Sequence, residues 1–316
     1  MKKKIINFLA SAGLIITAAI WGFAFVVVKD SLDFVPPVYM VAIRYSIAVI
    51  VLAAVLNKKL KVLNGSYWLH GIVTGLMLAG GYITQTIGCN FTTAGKNAFL
   101  TTVYVILIPL ITWSLNKKRP HLAVFVSAIM AVAGVALLSL RNENSSSLSM
   151  NIGDVLTLVC GLFYALHIVF TSRFTQNENP VIISFLQFLV AAVVSWGIAF
   201  LREGRFSVAV LNNSKVIMSM LYLGIFSSLI AFLLQNVCLK YMESSFASLF
   251  LSLESVFGVL FSAVFLHEKM TPVMIAGCVL IFIAITIAEQ FTREDKGKKI
   301  VNCVLQFSLQ QKFVLR

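Results

Sequence analysis

Apolar and polar positions along this chain alternate on a long wavelength, in runs of about 20 mainly apolar residues, the length of a membrane-spanning helix. Lipid offers no water to an unpaired N–H or C=O, so each run must satisfy its own backbone as helix. The predicted spans are Phe8–Val28, Val38–Leu56, Tyr67–Gly88, Asn97–Leu115, His121–Leu140, Ile152–Thr171, Val181–Leu201, Lys215–Cys238, Phe246–Leu266 and Pro272–Gln290. Short connections with turn formers such as Pro36-Pro37 and Asn212-Asn213 separate them.

Composition agrees with that pattern and removes one class of fold. Of 316 residues, 59% are hydrophobic and 12% charged, against about 25% charged in soluble domains. The net charge of +13 could mark a nucleic-acid binder, but the Lys and Arg sit in short loops between apolar runs. Of the 25 basic residues, 17 fall on the side of the N-terminus and 7 on the other, with Arg44 inside the second helix. That bias places both termini in the cytoplasm of a multi-pass protein of the plasma (bacterial inner) membrane. The bilayer, not nucleic acid, is the expected partner, with the chain a monomer or homodimer. The start MKKKIINFLASAGLIITAAIWG has a signal-peptide look, but its apolar run continues to Val28, beyond an h-region of about 7–15 residues. It reads as an uncleaved first helix. The five cysteines are scattered without ligand-like spacing, which predicts inert packing residues and no metal.

The chain also resembles itself. At an offset of 143, Pro37 meets Pro180, Arg44 meets Gln187, and Trp21-Gly22 meets Tyr164-Ala165. At an offset of 150, Gln85 meets Gln235, Phe91 meets Tyr241, and Glu254 meets Tyr104. Five helices per copy is an odd number, so the second copy enters from the opposite side. The expected fold is an all-α membrane protein of ten transmembrane helices in an inverted 5+5 repeat, over residues 8–140 and 152–290, followed by a basic cytoplasmic tail, 291–316. Such repeats place a binding site near the midplane and alternate its access.

With these landmarks in place, the sequence resembles the drug/metabolite transporter superfamily, in particular ten-helix proteins with two EamA domains. The carriers are AIWGFAFVVVK (Ala19–Lys29), Arg44-Tyr45, YITQTIG (Tyr82–Gly88), TTAGKNAFL (Thr92–Leu100), Gly153-Asp154, Gln235 and the segment MESSFASLFLSLESVFGVLFSAVFLHEKMT (Met242–Thr271). The resemblance implies secondary transport of small metabolites, often amino acids or related solutes. Two positions depart from the family pattern: Lys118 stands where its mate is Glu268 and a glutamate is common, and Ser255 stands where a proline is common.

Polar residues inside apolar helices are the candidate site. Glu254 lies about eight residues into its helix, where a carboxylate should face the bundle interior or water. It could hold a proton or a cationic ligand group, or pair with Lys96, Arg44 or a helix terminus. Arg44 could clamp a substrate carboxylate, although its place near a helix end favours snorkelling to the interface. Lys29 and Lys96 read as interfacial anchors. Gln85 and Gln235 need partners and serve either the cavity or helix–helix adhesion. Asn97, Thr101 and Tyr104 share one helical face. Ser248, Ser252 and Ser255 share another, with Glu254 turned about 100–200° away. Trp21, Tyr82 and Tyr164 are the expected aromatic walls, and His167 reads as a satisfied polar residue.

These residues predict an alternating-access transporter, with export the expected direction, and no cofactor. No GxxxxGK[ST] loop is present to use a nucleotide. An intramembrane enzyme would need a dyad or metal set, and no HExxH exists. A channel or receptor is the other alternative.

Overall fold

The computed structural model describes residues 2–56, 63–92, 94–117, 119–139, 151–207, 210, 212–265 and 270–288. Among them no strand occurs. The first half contains α1 (Lys2–Ser31), α2 (Pro37–Leu56), α3 (Gly65–Phe91), α4 (Ala94–Thr101), α5 (Tyr104–Asn116) and α6 (Leu122–Ser139). The second contains α7 (Ile152–Phe174), α8 (Pro180–Arg202), α9 (Ser214–Leu221), a π-helix (Tyr222–Ile230), α10 (Ala231–Tyr241), α11 (Ser244–Leu251) and α12 (Leu253–Phe265), then α13 (Pro272–Ala288). Among the described residues, 7 helical stretches are long and apolar enough to cross a membrane, counting α9 through α10 and α11 through α12 as single rods. Tyr104–Asn116, Leu122–Leu137 and Pro272–Ala288 are apolar but shorter. The tail 291–316, and the Lys118/Glu268 departure, lie outside the described residues.

Asparagines start several of these helices. The side chains of Asn64, Asn179 and Asn213 accept from the backbone N–H of Tyr67, Val181 and Lys215. Asn151 and Asp154 form a reciprocal capping box on α7, satisfying two otherwise orphan donors.

Two predicted spans are each broken in the middle. The run expected over Asn97–Leu115 divides into α4 and α5 at Thr102-Val103. Here the Thr102 hydroxyl donates to Ala98 O at 2.8 Å, and Val103 N–H reaches only three residues back, to Leu100 O at 3.3 Å. Pro109 inside α5 removes a further helical donor one to two turns on. The run expected over Phe246–Leu266 divides into α11 and α12 at Ser252, whose hydroxyl donates to Leu249 O at 2.7 Å. Serine and threonine hydroxyls compete for helix carbonyls in this way. Thr102 and Ser252 are themselves 150 residues apart, so the breaks fall at matching places in the two halves.

Packing pairs each half with the other. α3 lies along α7 and α8, and α2 along α8 and the π-helix; α1 lies along α10 and α12, while α7 lies along α4 and α5. Both broken rods meet a glycine of the opposite half at the break. A Cβ on Gly22 of α1 would sit 2.8 Å from Glu254 O and 2.6 Å from Phe257 Cβ, and one on Gly161 of α7 would sit 3.0 Å from Thr101 O. Apolar side chains gain little from leaving lipid for a neighbouring helix, so such close backbone approach is a main source of association.

Two apolar clusters form the interior. One gathers the first part of α1 with α5, α6, α7 and α11–α13; the other gathers the end of α1 with α2, α3, α8 and the π-helical region. Trp21 and Tyr164 pack against both, so these two aromatic mates stand on the seam. At one end of the bundle a polar clasp ties α3 to the α7–α8 turn. Ser66 Oγ donates to Glu178 Oε1 at 2.6 Å, His70 Nδ1 lies 2.9 Å from Glu178 Oε2, and the His70 ring stacks on Phe174 at 3.8 Å.

Candidate functional site

A cavity opens on that seam. Its wall is built from α1 (Trp21, Ala24, Phe25, Val28), α2 (Arg44), α3 (Tyr82, Gln85, Thr86, Cys89), Asn97, Tyr104, α7 (Tyr164, His167, Ile168), Ser227, Phe232, Gln235, Leu251 and Glu254. Both halves contribute side chains to it. The space is narrow, since the centre of a water molecule can move through only about 60 Å³.

Arg44 is 2% exposed, which overturns the expectation that it snorkels. Its Nε donates to Ser228 Oγ at 2.8 Å and its Nη2 to Ser227 Oγ at 2.7 Å, with the guanidinium carbon 4.4 Å from the Tyr82 ring centroid. The reason is local. α2 is flanked at this level by the π-helix, which offers two hydroxyl acceptors within reach of the guanidinium. No carboxylate lies within ion-pair distance of Arg44 among the described residues, and Nη1 has no partner there.

Glu254 is 5% exposed and lines the same cavity. The break at Ser252 places it in the first turn of α12, where free N–H groups and the helix dipole favour negative charge. It forms no ion pair with Arg44 and has no hydrogen-bond partner among the described residues. The side chain of Lys96, the other expected partner, lies outside them. Tyr104, its repeat mate, also lines the cavity, and its hydroxyl is buried without a partner.

The amides are organised around Tyr164. Tyr164 OH donates to Gln85 Oε1 at 3.0 Å, and Gln85 Nε2 donates to Thr101 Oγ1 at 3.3 Å. Asn97 Nδ2 donates to Gln85 O at 3.2 Å and Thr157 Oγ1 at 2.9 Å, leaving its Oδ1 without a partner. On the other side, Gln235 Nε2 lies 3.4 Å from Asn236 Oδ1, and Asn236 Nδ2 donates to Ser184 Oγ at 2.8 Å. Trp21 Nε1 donates to Ser227 O at 2.9 Å. Its ring meets Phe232 at 4.9 Å, and Tyr82 meets Tyr164 at 5.4 Å. The result is an aromatic enclosure with a guanidinium, a carboxyl and several amide groups in its wall.

Of the residues expected at the site, Trp21, Arg44, Tyr82, Gln85, Asn97, Tyr104, Tyr164, Gln235 and Glu254 line the cavity. Thr101 stands behind it, holding Gln85. Ser248 and Ser252 do not reach it; both hydroxyls turn back to their own helix, to Ser245 O at 2.8 Å and Leu249 O at 2.7 Å. That separation from Glu254 agrees with the angle expected between them. His167 bonds Gln187 Oε1 at 3.1 Å, as a satisfied polar residue would, yet it also lines the wall. Sequence reasoning missed Phe232 and Ser227. A phenylalanine or serine in an apolar run carries no periodic signal, and only the Ser227-Ser228 doublet distinguished the stretch. Lys29 is exposed at the end of α1, donating to Cys89 O at 3.3 Å. Cys89, Cys160, Cys238 and Cys278 are free thiols, and Cys303 lies outside the described residues.

Comparison with known proteins bears on this cavity. The model of the EamA-like transporter family matches twice, over residues 9–140 and 151–289. An uncharacterized transporter of Archaeoglobus fulgidus is 34% identical over 278 residues, 88% of this chain and 85% of that protein. The uncharacterized transporter YoaV of Bacillus subtilis is 24% identical over 274 residues, 85% of this chain and 92% of its own. A protein of solved crystal structure, 19% identical, superposes with a TM-score of 0.74 over 93% of this chain and 98% of the other, which supports the fold.

Proposed function

The chain belongs to the EamA-like transporter family and is a multi-pass membrane transporter, and from that premise we propose that it moves small zwitterionic metabolites, amino acids or related amphiphilic solutes, by alternating access. The observation that carries this reading is the pair of Arg44 and Glu254. They face one cavity, and no ion pair joins them among the described residues. A charge held within the membrane costs at least about 2.5–3.5 kcal/mol on insertion scales, so two such groups left apart call for a ligand that meets both. A solute carboxylate fits the free edge of the guanidinium, an ammonium fits Glu254 and the Tyr104 hydroxyl, and an apolar side chain fits the Trp21, Tyr82 and Phe232 walls. Gln85, Gln235 and Asn97 Oδ1 supply further hydrogen bonds.

The architecture we propose is ten crossings in an inverted 5+5 repeat, in which α4 with α5 and α11 with α12 each make one crossing. The matched breaks at Thr102 and Ser252 support it. So does the packing of α1 on α10 and α12 set against that of α7 on α3 and α4–α5. The Lys/Arg bias supports cytoplasmic termini and an inner-membrane location, and export is the direction we propose. The test is flux of labelled amino acids into or out of liposomes holding the purified protein, with and without a proton gradient. Saturable flux lost in Glu254→Gln and Gln235→Leu, with insertion intact, is the expected result. Parental flux in both variants would remove the cavity from the pathway. Unsaturable ion current, or covalent change of a lipid or peptide, would replace the transporter mechanism with a channel or an enzyme.

A further inference from the structure

The segment Tyr222–Ile230 is π-helical, and Ala231 N–H closes it onto Phe226 O, five residues back. A nine-residue π-helix is long for a form that usually occurs as a single-turn bulge, often at functional sites. Its repeat counterpart, residues 72–80, is ordinary α-helix within α3. More residues per turn than in an α-helix means a smaller step than about 100° between neighbours, so two consecutive side chains can address one target. Ser227 and Ser228 do so. Both hydroxyls are fully buried, and they accept from Nη2 and Nε of Arg44 at 2.7 and 2.8 Å. Ser227 O also receives Trp21 Nε1 at 2.9 Å. A further tether, Tyr222 OH to Ile20 O at 2.7 Å, fixes the start of the segment to α1.

Arg44 and Glu254 face the same space, and no ion pair joins them among the described residues. An arginine side chain is long and flexible, and a cation released near a carboxylate in a low-dielectric cavity would be drawn to it. We propose that Ser227 and Ser228, presented together by the π-helical winding, are positioning residues that hold Arg44 away from Glu254, so that both charges stay available to a ligand. This rests on reading Arg44 and Glu254 as ligand-facing groups, and it adds what keeps them so. The hydroxyl pair is suited to the task because it is neutral. It satisfies two donors of the guanidinium without discharging it, whereas a carboxylate in the same place would compete with the ligand.

The test is a thermal-melting cycle on the full-length protein purified in detergent, with no ligand added. In the parental background, Glu254→Gln removes a charge with no counter-charge, and melting should rise by on the order of 2–4 °C. In Ser227→Ala/Ser228→Ala, Arg44 is released to pair with Glu254. Glu254→Gln should then lower melting by a similar amount. The reversal of sign is the diagnostic, because serines that merely pack the helix would shift both backgrounds equally. Ser227→Thr/Ser228→Thr keeps the hydroxyls and should keep the parental sign. If the double alanine variant does not fold, Ser227→Cys/Ser228→Cys, which removes both strong acceptors at nearly constant volume, gives the same sign test. A Glu254→Gln shift of the same sign in every background overturns the proposal. Because no flux is measured, this failure is separate from that of the transport reading, which the liposome assay decides alone.

Discussion

Arg44→Met should separate stability from binding. The substitution keeps a long unbranched side chain and removes a buried guanidinium. What is lost is two charge-assisted hydrogen bonds, to Ser227 and Ser228, each worth about 1.5–3 kcal/mol, and a cation–π contact with Tyr82 worth about 0.5–2 kcal/mol. What is gained is relief from desolvating a cation that has no counter-charge among the described residues, several kcal/mol by itself. The serine hydroxyls left behind can turn to their own helix carbonyls, as Ser248 and Ser252 already do, so little remains unsatisfied. The balance is near zero or favourable, and replacing buried charge by an apolar side chain has stabilised other proteins by about 1–4 kcal/mol. Ligand binding has no such compensation. Loss of a buried partner to a carboxylate costs about 2–5 kcal/mol, so KM should rise at least about thirtyfold for a zwitterion. The decarboxylated amine of the same side chain should be affected far less. Melting by intrinsic fluorescence and competition by the two solutes in liposomes measure both halves. A melting temperature that falls by more than a few degrees, or equal losses for zwitterion and amine, would refute the reasoning.

Three further outcomes follow from particular contacts. Gln85→Leu should destabilise by about 1 kcal/mol, since Tyr164 OH loses its acceptor and Thr101 its donor, whereas Gln235→Leu, which breaks one contact of 3.4 Å, should hardly change melting while lowering flux. Gly22→Val would drive its side chain into Glu254 O and Phe257; folded yield in membranes should drop, and a normal yield with normal melting would show that α1 and α12 are free to separate. Glu178→Gln removes the acidic partner of His70; a loss of at most about 1 kcal/mol is expected for a partly exposed pair, measured as a small melting shift that disappears in a His70→Ala background.

Much of this protein could be read from the positions of its apolar runs. The α2, α3, α7 and α8 spans fall within a few residues of where the runs end, because caps such as Asn64, Asn151 and Asn179-Pro180 are written next to them. What the runs concealed is discontinuity. Thr102 and Ser252 sit inside two of those runs, and the interruptions there are backbone geometry that hydropathy does not record. The site was partly legible for a related reason: a polar residue inside an apolar run is conspicuous, so Gln85, Asn97, Gln235 and Glu254 stood out. Arg44 stood out too, but its depth was misjudged, since the hydroxyls that retain it come from residues 227 and 228. Phe232 was invisible, one aromatic among many.

The matched breaks have a consequence for what the cavity wall is made of. An eight-residue segment such as α11 is about 12 Å long, less than half the thickness of the hydrocarbon layer. Its end at Ser252 sets the first turn of α12, with Glu254, at the level where Gly22 of α1 lets the two backbones meet. In the first half α4 ends at Thr101 beside Gly161 of α7, and α5 starts at Tyr104. Each half thus brings the start of a helix, Tyr104 in one and its mate Glu254 in the other, to the cavity wall.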